Sequence, residues 1–259
     1  MSRQLRVGIP KGSLAESTLD LFRRAGYQIS VSPRSYFPTV DEPTMGCVMF
    51  RAQEMSRYVE SGVVDLGVTG YDWIRENDSD VVEVCELTYS KATIRPARWV
   101  LAVPNESPVQ RPEDLEGGVV ATELVNVVRQ FFAQRNVKVK VEFSWGATEV
   151  KARLLDGIVE LTETGSSLQA NSLREVAEVL RSTPRLIANR GAWADAWKRS
   201  CIEAIALQLR GAIEARQKVG LKMNVRRADL EAVLKLLPAE KSPTVSPLAD
   251  RDYVAVEVV

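Results

Sequence analysis

Two separate stretches of the chain repeat one pattern of helix, turn, apolar strand and Thr-Gly loop. The first is residues 58–70, and the second runs from Val150 through Gly165. Such a repeat predicts two similar α/β domains, each with a Thr-Gly turn at the end of a strand. We expect the two turns to face each other across a cleft, because clefts between domains are favoured sites for small ligands.

The second of these loops has the composition of an anion-binding site. A short apolar strand, Gly157 to Leu161, is predicted to break into a hydroxyl-rich loop and then a helical turn. Gly165 can adopt backbone angles that direct several amide N–H groups to one place, and Ser166 and Ser167 add hydroxyl donors. The acid Glu160 beside such a site suits a ligand with hydroxyls next to its phosphate, such as a ribose 5-phosphate. An ordinary strand-to-helix turn with a capping serine is the alternative that the loop alone leaves open.

The composition excludes several classes of function. Lys+Arg and Asp+Glu balance at 34 each, so no overall field favours nucleic acid or an anionic membrane. The absence of histidine from the sequence excludes Ser–His and Cys–His catalysis and histidine metal sites. The 3 cysteines are widely spaced, which indicates free thiols in a reducing compartment and not a disulfide framework. No apolar run approaches the ~20 residues that span a bilayer, and the first residues do not resemble a signal peptide, so we expect a cytoplasmic protein.

Two charged residues are predicted at the carboxyl ends of strands, where ligands bind in open α/β sheets. Lys11 follows the apolar run Leu5 to Pro10 and precedes a helix, whose start is predicted by a capping box of Ser13 and Glu16. Asp72 follows the strand of the first repeat and opens another helix. A solvated lysine and a helix-capping aspartate are the plainer alternatives.

The last part of the chain, from Gly220, has a different character. Its pattern predicts a strand, a helix and two further strands, namely Leu221–Val225, Ala228–Leu237, Thr244–Leu248 and Tyr253–Val259. This order is the first part of a ferredoxin-like domain, without the second helix and the last strand. We therefore expect an exposed sheet edge where Tyr253–Val259 lacks a partner.

Seven short motifs occur along the chain in a fixed order. They are GIPKGSL (8–14), RAQE (51–54), DLGVTGYD (65–72), SWGATEV (144–150), ELTETGSSL (160–168), ANSL (170–173) and LIAN (186–189). Their combination covers essentially the whole chain and closely resembles the ATP phosphoribosyltransferase family, in its long form with a C-terminal regulatory domain.

The resemblance implies an α/β fold of two periplasmic-binding-protein-like lobes around a cleft, followed by an incomplete ferredoxin-like (ACT-like) C-terminal domain. Lobe I would comprise residues 1–93 and 184–216, and lobe II residues 94–183 with the phosphoribosyl-binding loop. Residues 217–259 would be a partial regulatory domain.

The activity implied by the resemblance is that of a glycosyltransferase in the first step of histidine biosynthesis. ATP and phosphoribosyl pyrophosphate would be joined, with Mg²⁺, to give phosphoribosyl-ATP and pyrophosphate. The family forms homodimers and homohexamers, and the hexamer is linked to feedback inhibition by histidine. The shortened C-terminal domain leaves both the histidine response and the hexamer open for this chain.

The resemblance also implies roles for individual residues. The loop that matches the ribose 5-phosphate site consists of Glu163, Thr164, Gly165, Ser166, Ser167 and Leu168. Glu160 matches the acid that contacts the ribose hydroxyls. Lys11 and Arg51 match catalytic cations of the cleft, which suit a pyrophosphate or triphosphate. Asp72 matches a catalytic acid near the nucleotide and the metal, where substrate phosphates would supply most of the Mg²⁺ ligands.

Two other readings remain open from the sequence. A non-catalytic bilobed small-molecule binding protein of the periplasmic-receptor type would show the same two-lobe pattern. A regulatory relative that binds nucleotide without turnover would keep much of the same cleft.

Overall fold

Two five-stranded sheets and one three-stranded sheet organise the chain in the computed structural model, which describes residues 3–32, 34–88, 96–216, 218–237 and 242–258. Contacts divide the chain into two units, Met1–Arg210 and Gly211–Val259. The first unit contains both five-stranded sheets, which we call lobe I and lobe II, and the second unit contains the three-stranded sheet. No helix in the described ranges is long and apolar enough to cross a membrane.

Lobe I is formed first along the chain, and a buried strand lies at its centre. Its elements before the first crossing are β1 (Leu5–Lys11), α1 (Ala15–Arg24), β2 (Ile29–Ser30), β3 (Thr39–Val40), β4 (Met45–Arg51), α2 (Ala52–Glu60), β5 (Leu66–Gly70), α3 (Tyr71–Asn77) and β6 (Val82–Glu86). The strands β4, β1 and β5 are parallel neighbours. Every residue of β5 is buried, as expected for a strand covered on both faces of its sheet.

Lobe II follows with a second α/β sheet. Its elements are β7 (Ala97–Pro104), a 3₁₀ turn at Pro112–Leu115, β8 (Val119–Thr122), α4 (Val125–Ala133), β9 (Lys140–Phe143), α5 (Thr148–Lys151), β10 (Gly157–Thr162), α6 (Ser166–Ala170) and β11 (Leu173–Ser182). The strand order is β11-β7-β10-β8-β9. The apolar stripe of α4, which includes Val128 and Phe132, packs into the core beneath this sheet.

The chain then crosses back to lobe I. The returning elements are β12 (Pro184–Ala188), α7 (Arg190–Ala194) and α8 (Ala196–Ala215). Strand β12 lies between β5 and β6 and is antiparallel to both, so the lobe I sheet has the order β4-β1-β5-β12-β6. The return crossing is therefore a single residue, Thr183, between β11 of lobe II and β12 of lobe I. The other crossing, with the predicted boundary at 93/94, lies outside the described residues.

The second unit forms a three-stranded antiparallel sheet. Its elements are β13 (Leu221–Arg226), a 3₁₀ turn at Arg227–Asp229, α9 (Leu230–Leu236), β14 (Thr244–Pro247) and β15 (Tyr253–Val258). The order is β13-β15-β14, so β15 has a partner on each side. The prediction that this last strand would lack a partner is wrong, because the third strand of a β-α-β-β unit lies between the first two.

Two other predictions differ from the described structure. The capping box at Ser13 and Glu16 does not start α1, since Leu14 occupies the cap position without a side-chain cap hydrogen bond. The helix of the second repeat, predicted before the strand that begins at Gly157, is a single turn, α5.

Candidate active site

A cavity of about 820 Å³ lies between the two lobes. It is bordered by the carboxyl ends of β1, β4 and β5 in lobe I, by the end of β10 in lobe II and by the return crossing. Five predicted site residues line it, namely Lys11, Arg51, Asp72, Glu160 and Glu163. The other five predicted residues, Thr164 to Leu168, continue the loop beyond Glu163 and are not among those that line the cavity.

Lobe I presents two cations side by side. Lys11 and Arg51 end neighbouring parallel strands and are directly paired in register. Both side chains are exposed, and the Lys11 ammonium lies 4.1 Å from the centroid of the Tyr36 ring. Two adjacent cations at the ends of parallel strands suit an oligophosphate, because each can meet a different phosphoryl oxygen.

Asp72 lies at the wall of the cavity, but protein donors occupy its carboxylate. It is 4% exposed, and its Oδ2 accepts a hydrogen bond of 2.8 Å from the Trp99 indole, while its Oδ1 accepts one of 3.0 Å from the Trp73 amide. Burial raises the pKa of Asp72, against hydrogen bonds that lower it. A Cβ atom at Gly70 would lie 2.0 Å from Oδ1, so only glycine allows this packing. The carboxylate therefore joins α3 of lobe I to β7 of lobe II.

This arrangement does not fit a metal site built by the protein. Among the described residues, no group of three or more histidine, cysteine or acidic side chains could hold a metal ion. Both Asp72 oxygens already accept hydrogen bonds from the protein. The role of Asp72 as a metal ligand therefore stays a prediction that the geometry does not favour.

Glu160 is held by a chain of hydrogen bonds that sequence reasoning missed. Its carboxylate accepts a hydrogen bond of 3.0 Å from the Leu161 amide, and its interaction with the Thr148 hydroxyl lowers the pKa of Glu160. Thr148 Oγ1 lies 2.9 Å from Ser144 Oγ, which in turn accepts a hydrogen bond of 2.6 Å from Lys151 Nζ. Because Ser144 and Thr148 are fully buried, this chain fixes the carboxylate from behind. Ser144 and Thr148 both belong to the SWGATEV motif, but the sequence did not indicate which residues of the motif would interact with Glu160.

The electrostatic environment of Glu160 is acidic. Burial raises its pKa above the ordinary range, and the neighbouring carboxylates of Glu149 and Glu123 raise it further, while the two hydrogen bonds lower it. Lobe II therefore presents carboxylates to the cavity, while lobe I contributes the cations Lys11 and Arg51 as well as the acids Glu54 and Asp72.

The hydroxyl-rich loop forms as predicted at the end of β10. Gly165 has φ of +80° and caps the short helix α6, and its amide donates to Thr162 Oγ1 at 2.8 Å. The hydroxyls of Thr164 and Ser166 are 3.0 Å apart, and Ser167 donates to the Glu149 carboxylate. A Cβ at Gly165 would meet nothing within 4 Å, so glycine is required by the backbone angle and not by lack of space.

The two ends of this loop differ from its middle. Leu168 is 3% exposed and packs in the lobe II core, so its side chain contributes to folding. Glu163 lines the cavity, and its Oε2 is buried with no hydrogen-bond partner among the described residues. Since an ionised carboxylate only accepts hydrogen bonds, Glu163 is suited to a donor and not to a phosphate.

Comparison with known proteins agrees with this arrangement. The family model for ATP phosphoribosyltransferase matches residues 51–221, and the model for the HisG C-terminal domain matches residues 215–259. The chain is 55% identical to an ATP phosphoribosyltransferase of Trichlorobacter lovleyi over 261 residues, covering 100% of this chain and 90% of the relative. It is also 55% identical to an ATP phosphoribosyltransferase of Chlorobium luteolum, covering 100% of this chain and 88% of the relative.

Solved structures give the same result for the fold. The ATP phosphoribosyl transferase (HisG:HisZ) complex from Thermotoga maritima superposes with a TM-score of 0.70 at 25% identity, covering 82% of this chain and 100% of that chain. The periplasmic aliphatic sulphonate binding protein SsuA from Escherichia coli superposes with a TM-score of 0.53 at 18% identity, covering 91% of this chain and 78% of that chain, which is a likeness of fold alone. The predicted two-lobed α/β fold and the predicted family are thus confirmed. The chain belongs to the ATP phosphoribosyltransferase family, the transferases of histidine biosynthesis.

Proposed function

We propose that the cavity holds ATP and phosphoribosyl pyrophosphate side by side, and that its residues carry the transfer of the phosphoribosyl group to the adenine of ATP. The products are phosphoribosyl-ATP and pyrophosphate. The observation that carries this proposal is the division of charge in one cavity. Two cations in register, Lys11 and Arg51, lie at its lobe I side, and the carboxylates of Glu160 and Glu163 lie at its lobe II side.

The sugar phosphate is assigned to lobe II. The 5-phosphate is assigned to the loop of residues 164–167, which continues from Glu163 beyond the cavity wall to the N-terminal end of α6. Glu160 accepts hydrogen bonds from the ribose hydroxyls, and its buried hydrogen-bond chain holds the carboxylate ready for them. Leu168 supports the loop from the core.

The leaving pyrophosphate is assigned to the cations of lobe I. Departure of pyrophosphate leaves an oxocarbenium-like ribose carbon, so the reaction needs stabilisation of the leaving anion and close approach of the adenine. Lys11 and Arg51 supply the positive charge, and no strong base is required. Asp72 acts by holding Trp99 and the return crossing in place.

Mg²⁺ is assigned to the substrates and not to a preformed protein site. The support is the absence, within the described ranges, of a cluster of acidic side chains able to hold a metal. Mg²⁺ dehydrates reluctantly and is commonly bound through substrate phosphates. The expected signature is an activity that follows the concentration of the Mg²⁺–nucleotide complex, with no Mg²⁺ binding to the chain when both substrates are absent.

The C-terminal region is assigned a regulatory role. Residues 1–93 and 184–216 form the first catalytic lobe, residues 94–183 the second, and residues 217–259 part of a regulatory domain of a cytoplasmic homodimer or homohexamer. The support is the match of residues 215–259 to the HisG C-terminal domain. Activity assays with added histidine, together with the measured mass of the assembly, test whether the protein responds to histidine.

Pyrophosphate release under steady-state conditions tests the catalytic proposal. Release should require ATP and phosphoribosyl pyrophosphate together, and either one alone should give none. Glu160→Gln should raise the KM for phosphoribosyl pyrophosphate more than that for ATP. Binding of both compounds without pyrophosphate release would favour the non-catalytic bilobed binding protein.

A further inference from the structure

Thr183, the residue of the return crossing, carries a buried hydroxyl that the fold does not use. The residue is 7% exposed and lines the cavity, and its Oγ1 has no hydrogen-bond partner among the described residues. Its backbone is fixed independently, because its carbonyl accepts a hydrogen bond of 3.0 Å from the Tyr71 amide. A buried hydroxyl without a partner destabilises a protein, so a partner that arrives with a ligand accounts for it.

Two residues of the cavity wall near Thr183 are small or apolar. Pro184 follows it in the chain, and Ala97 is paired in register with the preceding residue, Ser182. Both Pro184 and Ala97 line the cavity. The hydroxyl of Ser182 accepts from the Asp72 amide, and the indole of Trp99 donates to the Asp72 carboxylate. A single available hydroxyl against an apolar wall suits an aromatic base better than a phosphate, because a charged group loses more hydration there.

A second unsatisfied polar atom belongs to another residue that lines the cavity. Glu163 Oε2 is buried and has no partner within the described ranges. The neighbour of Glu163, Thr162, is in register with Arg98 on β7, which is in register with Arg181 on β11. Glu163 and Thr183 therefore end strands on either side of β7, about 10 Å apart by two strand spacings. Ala97, which is in register with Ser182, lies on the strand between them.

We propose that Thr183 and Glu163 bracket the adenine ring of ATP over Ala97. The Thr183 hydroxyl donates to a ring nitrogen other than the one that attacks the ribose, and the Glu163 carboxylate accepts from the exocyclic amino group. Guanine carries a carbonyl oxygen at the position of that amino group, and the carboxylate repels it. The pair thus determines the choice of adenine over guanine. This inference rests on the proposed function, since it takes ATP as the ligand of the cavity.

Thr183→Val tests the hydroxyl, because valine keeps the shape and removes the only polar atom. Thr183→Ser is the matched control, since it keeps the hydroxyl and removes a methyl group. In calorimetric titrations of the full chain, Thr183→Val should weaken ATP about tenfold and leave phosphoribosyl pyrophosphate within about twofold. Thr183→Ser should bind ATP nearly as the wild type does. The melting temperature of free Thr183→Val should equal or exceed that of the wild type, because no hydrogen bond of the fold is lost.

Glu163→Gln tests the base selection, because the glutamine amide can donate to the guanine carbonyl. The ratio of ATP to GTP affinity should fall about tenfold in this variant.

Three results would overturn the assignment of Thr183. They are ATP binding by Thr183→Val as tight as that of the wild type, an equal loss of affinity for phosphoribosyl pyrophosphate, and a lower melting temperature with ATP binding unchanged. An unchanged ATP-to-GTP ratio in Glu163→Gln would overturn that of Glu163. If the wild type binds no ATP at all, the proposed function fails together with this inference, whereas wild-type ATP binding with an unaffected Thr183→Val overturns the inference alone.

Discussion

The carboxylate of Asp72 and the indole of Trp99 join lobe I to lobe II through a hydrogen bond of 2.8 Å. Both side chains are buried, at 4% and 2% exposure. The backbone amide of Asp72 also donates to Ser182, the residue next to the return crossing. One acidic residue thus ties the end of β5 to two strands of the other lobe, and it fixes the geometry of the cavity wall from behind.

Asp72→Ala is expected to destabilise the protein. It leaves the Trp99 N–H buried and unpaired, which costs about 1–3 kcal/mol in the free energy of unfolding. Chemical denaturation of Asp72→Ala, Trp99→Phe and the double variant forms a cycle, in which the two changes should couple by at least about 0.5 kcal/mol. If the losses in the free energy of unfolding are additive and Asp72→Ala also needs more Mg²⁺ for activity, the result would favour the predicted role of Asp72 as a metal ligand.

Thr148→Val is expected to move the pH dependence of catalysis. The Thr148 hydroxyl lowers the pKa of Glu160, which burial raises, so its removal should raise that pKa further. Because Glu160 must be ionised to accept hydrogen bonds from ribose hydroxyls, the acid limb of the kcat/KM profile should shift to higher pH. Ser144→Ala, one step further along the chain of hydrogen bonds, should shift it less. An unshifted profile in Thr148→Val would mean that Glu160 does not act through its carboxylate.

Gly165→Ala is expected to weaken phosphoribosyl pyrophosphate selectively. The φ of +80° costs a residue with a Cβ about 1–2 kcal/mol, and relief of this strain would turn the loop amides away from the phosphate. Gly117→Ala is a matched control, because Gly117 has a φ of +78° and equally open space around its Cβ position, and it lies before β8, outside the loop of residues 163–168. Both variants should lose similar stability, while only Gly165→Ala loses affinity for phosphoribosyl pyrophosphate. Equal losses of ATP and phosphoribosyl pyrophosphate affinity would count against the loop as the 5-phosphate site.

Asp65 is expected to stabilise lobe I in a pH-dependent way. Its carboxylate is buried, which alone would raise the pKa, but hydrogen bonds from Arg6 and Lys198 hold the pKa below its ordinary value of 3.8. A lowered pKa means that the stabilisation is present above about pH 4 and is lost as the pH falls through the folded-state value. Asp65→Asn should lose about 1–3 kcal/mol near neutral pH and little in acid. Urea denaturation from pH 3 to pH 7 measures the free energy of unfolding of the wild type and of Asp65→Asn. A difference between the two proteins that does not shrink in acid would contradict this role of Asp65.

The sequence predicted those features of the site that depend on local order along the chain. Arg51 was placed in the cleft by the family resemblance alone, but Lys11 ends an apolar run whose pattern predicted its position at the carboxyl end of a strand. Glu160 and the loop after it were predicted in the same way. The repeat of helix, strand and Thr-Gly turn predicted two lobes for the same reason, since each unit is formed by neighbouring residues.

Features that depend on contacts between distant residues were not predictable. The pairing of Asp72 with Trp99 crosses from one lobe to the other, and nothing near Asp72 in the sequence indicates it. Leu168 belongs to the same motif as Gly165, yet it faces the core, because a motif does not distinguish residues that touch ligand from those that support the loop. Thr183 is a lone threonine before a proline, and only the fold places its hydroxyl in the cavity. The position of β15 in the middle of its sheet likewise depends on strand order, which periodicity does not reveal.

Mass analysis of the reaction mixture decides whether the chain transfers the phosphoribosyl group to ATP. The full chain is incubated with ATP, phosphoribosyl pyrophosphate and Mg²⁺, and the nucleotide products are separated and weighed. We expect one new product, whose mass is that of ATP plus phosphoribosyl pyrophosphate less that of pyrophosphate. It should form in equal amount to the released pyrophosphate and be absent when either substrate is omitted. Recovery of both substrates unchanged, under conditions where titration shows that both are bound, would contradict this expectation.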